Sequence, residues 1–363
     1  MNKDSEKLQS KAVYFESLDY VRAIAIILVF YCHNFAALLQ ARGLETGLVS
    51  FVRNYFLIPF GIIQDFGFLA VSLFFLLSGF LITYKGLQED LNSFIVKRIF
   101  RIYPAWIIAV IVMQLINAAI NYQLVLSPDK LLNFSELLKC LTLWGYLEVE
   151  PIWIIGVGWT LIIEVIFYFL FACAKVFSKN SLWKLILFNI CFVAICLFID
   201  IKIGNSFIGF NHWIPYIPCL VFGQIIYAFY TSNKRFIYVL FTIINYYMLI
   251  LASQIIPESE LNTSNNSHII SLFYAALIFI LLLKSELKCP SAIKYLALIS
   301  YSIYIYHGNI GQIVTLIFPD HLFWIAFLSS IFVTILVAAI SYELIEKRGQ
   351  NFARQIIKKQ KMS

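Results

Sequence analysis

Arg22 and His33 stand eleven residues apart, in a stretch running from Leu18-Asp19-Tyr20-Val21-Arg22 to Cys32-His33-Asn34. At 100° per residue, eleven steps come within ~20° of three full helical turns, so both side chains share one helix face ~16 Å apart along the axis. A cation at one end of that face and a titratable imidazole further along suit anion binding and proton removal. The plainer reading, in which Arg22 reaches back to an interface and His33 is a packed side chain, stays open on these two residues alone. Asp19 reads as a helix-start residue facing the dipole rather than as a reactive group.

Four more segments carry polar residues in apolar surroundings. Lys97-Arg98-Ile99-Phe100-Arg101 precedes Tyr103-Pro104. Arg98 and Arg101 are i, i+3 neighbours and suit bidentate binding of phosphate, or equally ordinary anchoring at a membrane face. Pro104 suits the first turn of a following helix. Glu164, within Trp159-Thr160-Leu161-Ile162-Ile163-Glu164-Val165-Ile166-Phe167-Tyr168, is the one acidic residue deep in an apolar run. Such a carboxylate requires a proton, a cation or a histidine, and a structural buried pair would satisfy it as well as a reactive one. His307 closes Ile299-Ser300-Tyr301-Ser302-Ile303-Tyr304-Ile305-Tyr306 at a depth comparable with that of His33. In Phe74-Phe75-Leu76-Leu77-Ser78-Gly79-Phe80-Leu81-Ile82-Thr83, Ser78 and Gly79 point to close helix packing. His212, His268 and His321 fall in or near loops and receive no role.

The elements that must position these residues follow from composition. The chain has 363 residues, 61% of them hydrophobic, 17% aromatic and 13% charged. A soluble domain carries about 25% charged residues. Disordered chains, disulfide scaffolds and ordinary soluble enzymes are thereby excluded. Apolar runs of about 20 residues recur without the short alternation of a membrane β-barrel, which leaves helices as the spanning element. The expected fold is all-α and polytopic, with about ten transmembrane helices: roughly 18–40, 62–83, 103–120, 153–176, 184–201, 213–231, 236–256, 269–284, 293–318 and 322–344. The first run is long and follows about twenty polar residues, so it reads as a retained helix rather than a cleaved signal. The segment 131–147, broken by Lys139, reads as an interfacial or re-entrant piece within a long outer loop, and 257–268 as a polar connector.

Ten spans place both termini on one side. Of the 27 Lys and Arg residues, 21 then fall in cytoplasmic segments and five in outer ones, with Arg22 inside the first helix. That asymmetry agrees with the positive-inside rule and puts both ends in the cytoplasm. It gives a cytoplasmic N-terminal segment 1–17, a membrane domain 18–344 and a basic tail 345–363. The net charge of +7 is accounted for by topology and anionic lipid, without nucleic acid. The seven Cys form no CxxC pair, and no cluster has metal-ligand spacing, so no metal is expected.

In these blocks the chain resembles the acyltransferase-3 family of polytopic membrane acyltransferases that modify bacterial surface glycans and some lipids and antibiotics. The resemblance rests, in order, on LDYVRAIAIILVFYCH with its Arg-x10-His spacing, FFLLSGFLIT, the Arg-x-x-Arg of KRIFRIYP, WTLIIEVIFY, ISYSIYIYH and the closing SYELIEK at 341–347. Val165 stands where many relatives have a second acidic residue, and Arg348 where they have Pro.

The resemblance implies transfer of an acyl group, most often acetyl, from cytosolic acyl-CoA to a hydroxyl of a glycan or lipid-linked oligosaccharide on the outer side of a bacterial inner membrane. It implies Arg98 and Arg101, with Arg22, as the donor-binding cations. It implies His33 as general base, Glu164 as a group orienting a histidine or neutralising Arg22, and His307 as an acceptor-positioning or proton-relaying residue. No permanently bound cofactor is implied, and the membrane domain is expected to carry out the final transfer itself. The main rival is a transporter or flippase of lipid-linked sugars, with Arg22, Glu164 and the two histidines as a relay. No inverted repeat or pair of Gly/Pro-broken helices supports it. A catalytically silent scaffold is the third reading.

Overall fold

The computed structural model describes residues 15–44, 47–120, 131–148, 150–203, 213–255 and 267–362. The expected N-terminal segment up to residue 14, the connector 257–266, Lys130 and His212 lie outside the described residues. Among the described residues 86% are helical and none is in a strand. The long helices are α1 Ser17–Ala41, α2 Gly67–Gln88, α3 Leu91–Ile120, α4 Gly158–Ser178, α5 Leu182–Ile203, α6 Ile217–Thr231, α7 Arg235–Ile255, α8 Ser267–Lys284, α9 Ser300–Ile317, α10 Phe323–Ser341 and α11 Lys347–Gln360. Among the described residues nine helical stretches are long and apolar enough to cross a membrane. The protein is an all-α, polytopic membrane protein.

Three expectations are corrected. The span expected over 293–318 is two helices, Ser291–Leu298 and α9, meeting at Ile299. At 18 residues α9 is ~27 Å long, yet it is not among the nine apolar stretches. Its polar residues are met inside protein rather than by lipid: Ser302, His307, Asn309, Gln312 and Thr315 are all buried, and Asn309 Nδ2 donates to the Ile154 carbonyl at 3.1 Å. Second, the helix expected over 103–120 begins at Leu91, so Arg98 and Arg101 ride on the spanning helix itself. Pro104 lies inside it, as proline can where neighbouring helices satisfy the freed backbone. The basic tail is helical and packs along α3, with Phe352 edge-on to Phe100 at 5.4 Å. Third, α1 is not uniformly α-helical, because Tyr31–Ala36 forms a π-helical turn. The 100° step that placed His33 under Arg22 therefore stops at Phe30.

The segment 131–147 contains a short helix, Phe134–Leu141, closed by a reciprocal capping box between Asn133 and Glu136. Trp106 Nε1 donates to the Cys140 carbonyl at 2.9 Å and fastens it to α3.

α2 is the hub, packing against α1, α6 and α8. Two glycines set the closest of these contacts. A Cβ on Gly79 would lie 1.9 Å from the Leu220 carbonyl oxygen, and one on Gly223 would lie 2.2 Å from that of Leu76. Only residues without side chains allow the two backbones to approach so closely, the pattern of tight helix pairs in lipid. The α1 start, α2 end, α3 start and α11 end share one face of the bundle. It is tied by Lys294–Glu16 at 2.8 Å, Lys361–Asp90 at 3.6 Å and Lys97–Glu89 at 2.7 Å. Lys175, buried on α4, donates to the carbonyls of Gly86, at 2.5 Å, and Glu89 at the end of α2. Those are carbonyls that a helix terminus leaves without internal partners.

Candidate active site

In the half of the bundle nearer that face, α1, α2, α3, α4 and α9 enclose a cleft of about 90 Å³, room for several waters. Arg22, Lys85, Arg98, Arg101 and Glu164 all line it. Four cations against one carboxylate in a space walled by apolar helices make a strong field for an anion. Arg22 is held by Asp19, Nη1 to Oδ1 2.7 Å, which gives Asp19 an ion-pairing role in the first turn of α1. Arg98 lies over the rings of Phe94 and Tyr168, 5.0 and 5.6 Å from the centroids, with Glu89 3.6 Å away. Cation–π contacts orient a guanidinium without consuming its hydrogen-bond donors. Arg101 interacts electrostatically with Glu164 and with a second carboxylate, Glu346. Glu346 is buried at the end of the π-helical turn Tyr342–Glu346 and accepts from the Ser302 hydroxyl.

Among the described residues Glu164 has no histidine as a hydrogen-bond partner. Its Oε1 accepts from Tyr168 at 2.5 Å and from Ser78 at 3.3 Å. The Ser-Gly pair of α2 is thus divided in function. Gly79 serves packing and Ser78 faces the cleft carboxylate.

The two histidines are brought together elsewhere. The His33 and His307 ring centroids are 5.3 Å apart, although 274 positions separate them in the chain. The π-helical turn carries His33 there, and Asn34 Nδ2 donates to the His307 carbonyl at 2.9 Å, locking α1 to α9. His307 is fully buried. Its Nδ1 lies 2.8 Å from the Tyr304 carbonyl. A carbonyl only accepts, so the Nδ1–H tautomer is assigned from this contact and the lone pair falls on Nε2. Nε2 is buried and has no hydrogen-bond partner among the described residues, which leaves it available to a hydroxyl.

Neither histidine lines the cationic cleft. Tyr304 lies between: it lines the cleft, and its ring is 5.6 Å from that of His307. Six residues singled out in the sequence therefore fall into two adjacent groups. Arg22, Arg98, Arg101 and Glu164 form one, His33 and His307 the other. Lys85, Tyr168, Thr160 and Tyr304 complete the site and do not stand out individually in the sequence; Ser78, which reads there as a packing residue, joins them. Lys85 reads in the sequence as one more positive-inside cation, and Tyr168 and Tyr304 are two of 21 tyrosines, with nothing in their spacing to separate them. Among the described residues no group of three or more His, Cys, Asp or Glu could hold a metal ion.

A helical membrane bundle with a cationic cleft beside a pair of histidines, His307 buried and His33 half-buried, defines the class: a polytopic membrane protein. A family model described as an acyltransferase domain, that of the acyltransferase-3 family, matches residues 15–343. The chain belongs to that family and is a membrane acyltransferase. No curated protein and no solved structure matches it.

Proposed function

We propose that the protein transfers an acyl group, most often acetyl, from cytosolic acyl-CoA to a hydroxyl of a cell-surface or lipid-linked polysaccharide at a bacterial inner membrane, with both termini cytoplasmic. One observation carries this reading. The arginines and the carboxylate, from separate stretches of chain, line a single cleft, and the two histidines lie ring against ring on the other side of one tyrosine.

The donor phosphates bind Arg98 and Arg101, with Arg22 and Lys85 adding charge; guanidinium forks match phosphate oxygens bidentately. Glu164, held by Tyr168 and Ser78, keeps the cationic groups apart and limits their net field. The thioester points towards the histidine pair. His33 removes the proton from the acceptor hydroxyl as its oxygen attacks the thioester carbonyl, a role worth about 10²–10⁴-fold. The C–O bond forms, the C–S bond breaks, and the departing thiolate takes the proton back from His33. His307, whose Nε2 carries a lone pair, accepts from a neighbouring hydroxyl of the acceptor and so positions it.

Binding of radiolabelled acetyl-CoA to the purified full chain tests the donor half. Saturable binding is expected, weakened at least tenfold in Arg98→Ala and Arg101→Ala, which is about 1.4 kcal/mol or more. Absence of binding in the native protein would favour the transport reading over this one.

A further inference from the structure

Tyr304 meets both halves of the site: it lines the cleft, and its ring lies 5.6 Å from that of His307. Its hydroxyl is 3.0 Å from Thr160 Oγ1. The Thr160 hydroxyl proton is already used, donated to the Val157 carbonyl at 2.9 Å, so Tyr304 is the donor in this pair. Phe74 packs edge-on to the Tyr304 ring at 5.1 Å. All three residues line the cationic cleft. They come from three helices, α2, α4 and α9, so the wall closes only when those helices are packed.

We propose that Tyr304, latched to Thr160 and backed by Phe74, is a specificity-determining partition: it separates the donor cleft from the histidine pair and sets the length of acyl group that can be passed. The proposal rests on the acyl-transfer reading above. A phosphate-anchored donor has a reach bounded by its flexible arm, and Tyr304 stands in the wall between the cleft that holds it and the histidines. A two-carbon group turns past the ring edge to the histidines. A long chain collides with a buried phenol whose displacement would cost its hydrogen bond to Thr160. The latch and the ring make separable contributions. Removing the hydroxyl frees the ring to swing, and removing the ring opens the wall.

The test supplies acetyl-, butyryl- and octanoyl-CoA separately to host membranes containing the native full chain, Tyr304→Phe, Thr160→Val, Tyr304→Leu or Tyr304→Ala. Enzyme-dependent thiol release and base-labile ester are read together, with protein amounts matched by blotting. The native protein is expected to prefer acetyl over octanoyl at least tenfold. Tyr304→Ala and Tyr304→Leu should narrow that ratio at least tenfold, and Tyr304→Phe and Thr160→Val should narrow it less and equally. Tyr304→Leu keeps an apolar side chain in the buried site, and the two hydroxyl deletions change no packing volume at the ring, so the comparison survives failure of the alanine variant to fold. An unchanged chain-length ratio in active variants would overturn the partition and leave acyl transfer standing. No turnover of any donor by the native protein would overturn the acyl-transfer reading, and the partition with it.

Discussion

Glu164 shows how a burdensome residue becomes useful. A carboxylate within an apolar helix is costly, and here one oxygen accepts from both Tyr168 and Ser78. Because Tyr168 also lies under Arg98, its ring and its hydroxyl serve different neighbours. Tyr168→Phe keeps the ring and removes the shorter hydrogen bond, so the acyl-transfer rate should fall about tenfold, the order of one charge-assisted hydrogen bond. Ser78→Ala, at the longer contact, should cost less, and the double variant less than the sum, since both act on one oxygen. Initial rates at matched protein levels measure this. Such residues were legible in the sequence because ionisable groups in apolar runs are few and expensive, and Arg22, His33, Arg98, Arg101, Glu164 and His307 all declared themselves that way. Tyr168 and Tyr304 did not. The chain has 21 Tyr, and what distinguishes Tyr304 is a threonine 144 positions away, a relation that only packing creates.

The helices were legible as apolar runs, their irregularities much less so. Nothing in Tyr31–Ala36 signals a π-helical turn, yet such turns recur at functional positions, and this one delivers His33 to His307. The break at Ile299 was hidden for the opposite reason. Ser291–Leu298 and α9 are both moderately apolar, and their hydropathy merges into one apparent span. Lys175 looked like any interfacial cation. Buried at 9% exposure, it instead closes the end of α2 by donating to Gly86 and Glu89. Lys175→Met preserves most of the stem and deletes those bonds, leaving helix-end carbonyls unpaired. A loss of about 1–3 kcal/mol follows, expected as a lower thermal midpoint of the detergent-purified protein. An unchanged midpoint would show that water satisfies the α2 end.

Taken as a whole, the molecule separates its cationic cleft from its histidine pair. One face gathers the cationic cleft, the tied helix ends and α11; the histidine pair lies on the far side of Tyr304. The fold was readable at this scale because 61% hydrophobic content and recurrent 20-residue runs leave few alternatives to a helical bundle. Which helices touch was not readable, since lipid-facing and protein-facing surfaces are equally apolar and the closest contact depends on Gly79 and Gly223. The central claim, that this arrangement transfers an acyl group at His33, is tested most directly in a host lacking its own copy. Proton NMR of the surface polysaccharide before and after mild base would compare the native protein with His33→Ala at matched membrane levels. The account predicts base-labile acyl signals with the native protein and their loss in the variant. Normal acylation by His33→Ala would contradict the assignment of the base, and no base-labile acyl group with the native protein would contradict glycan acylation itself.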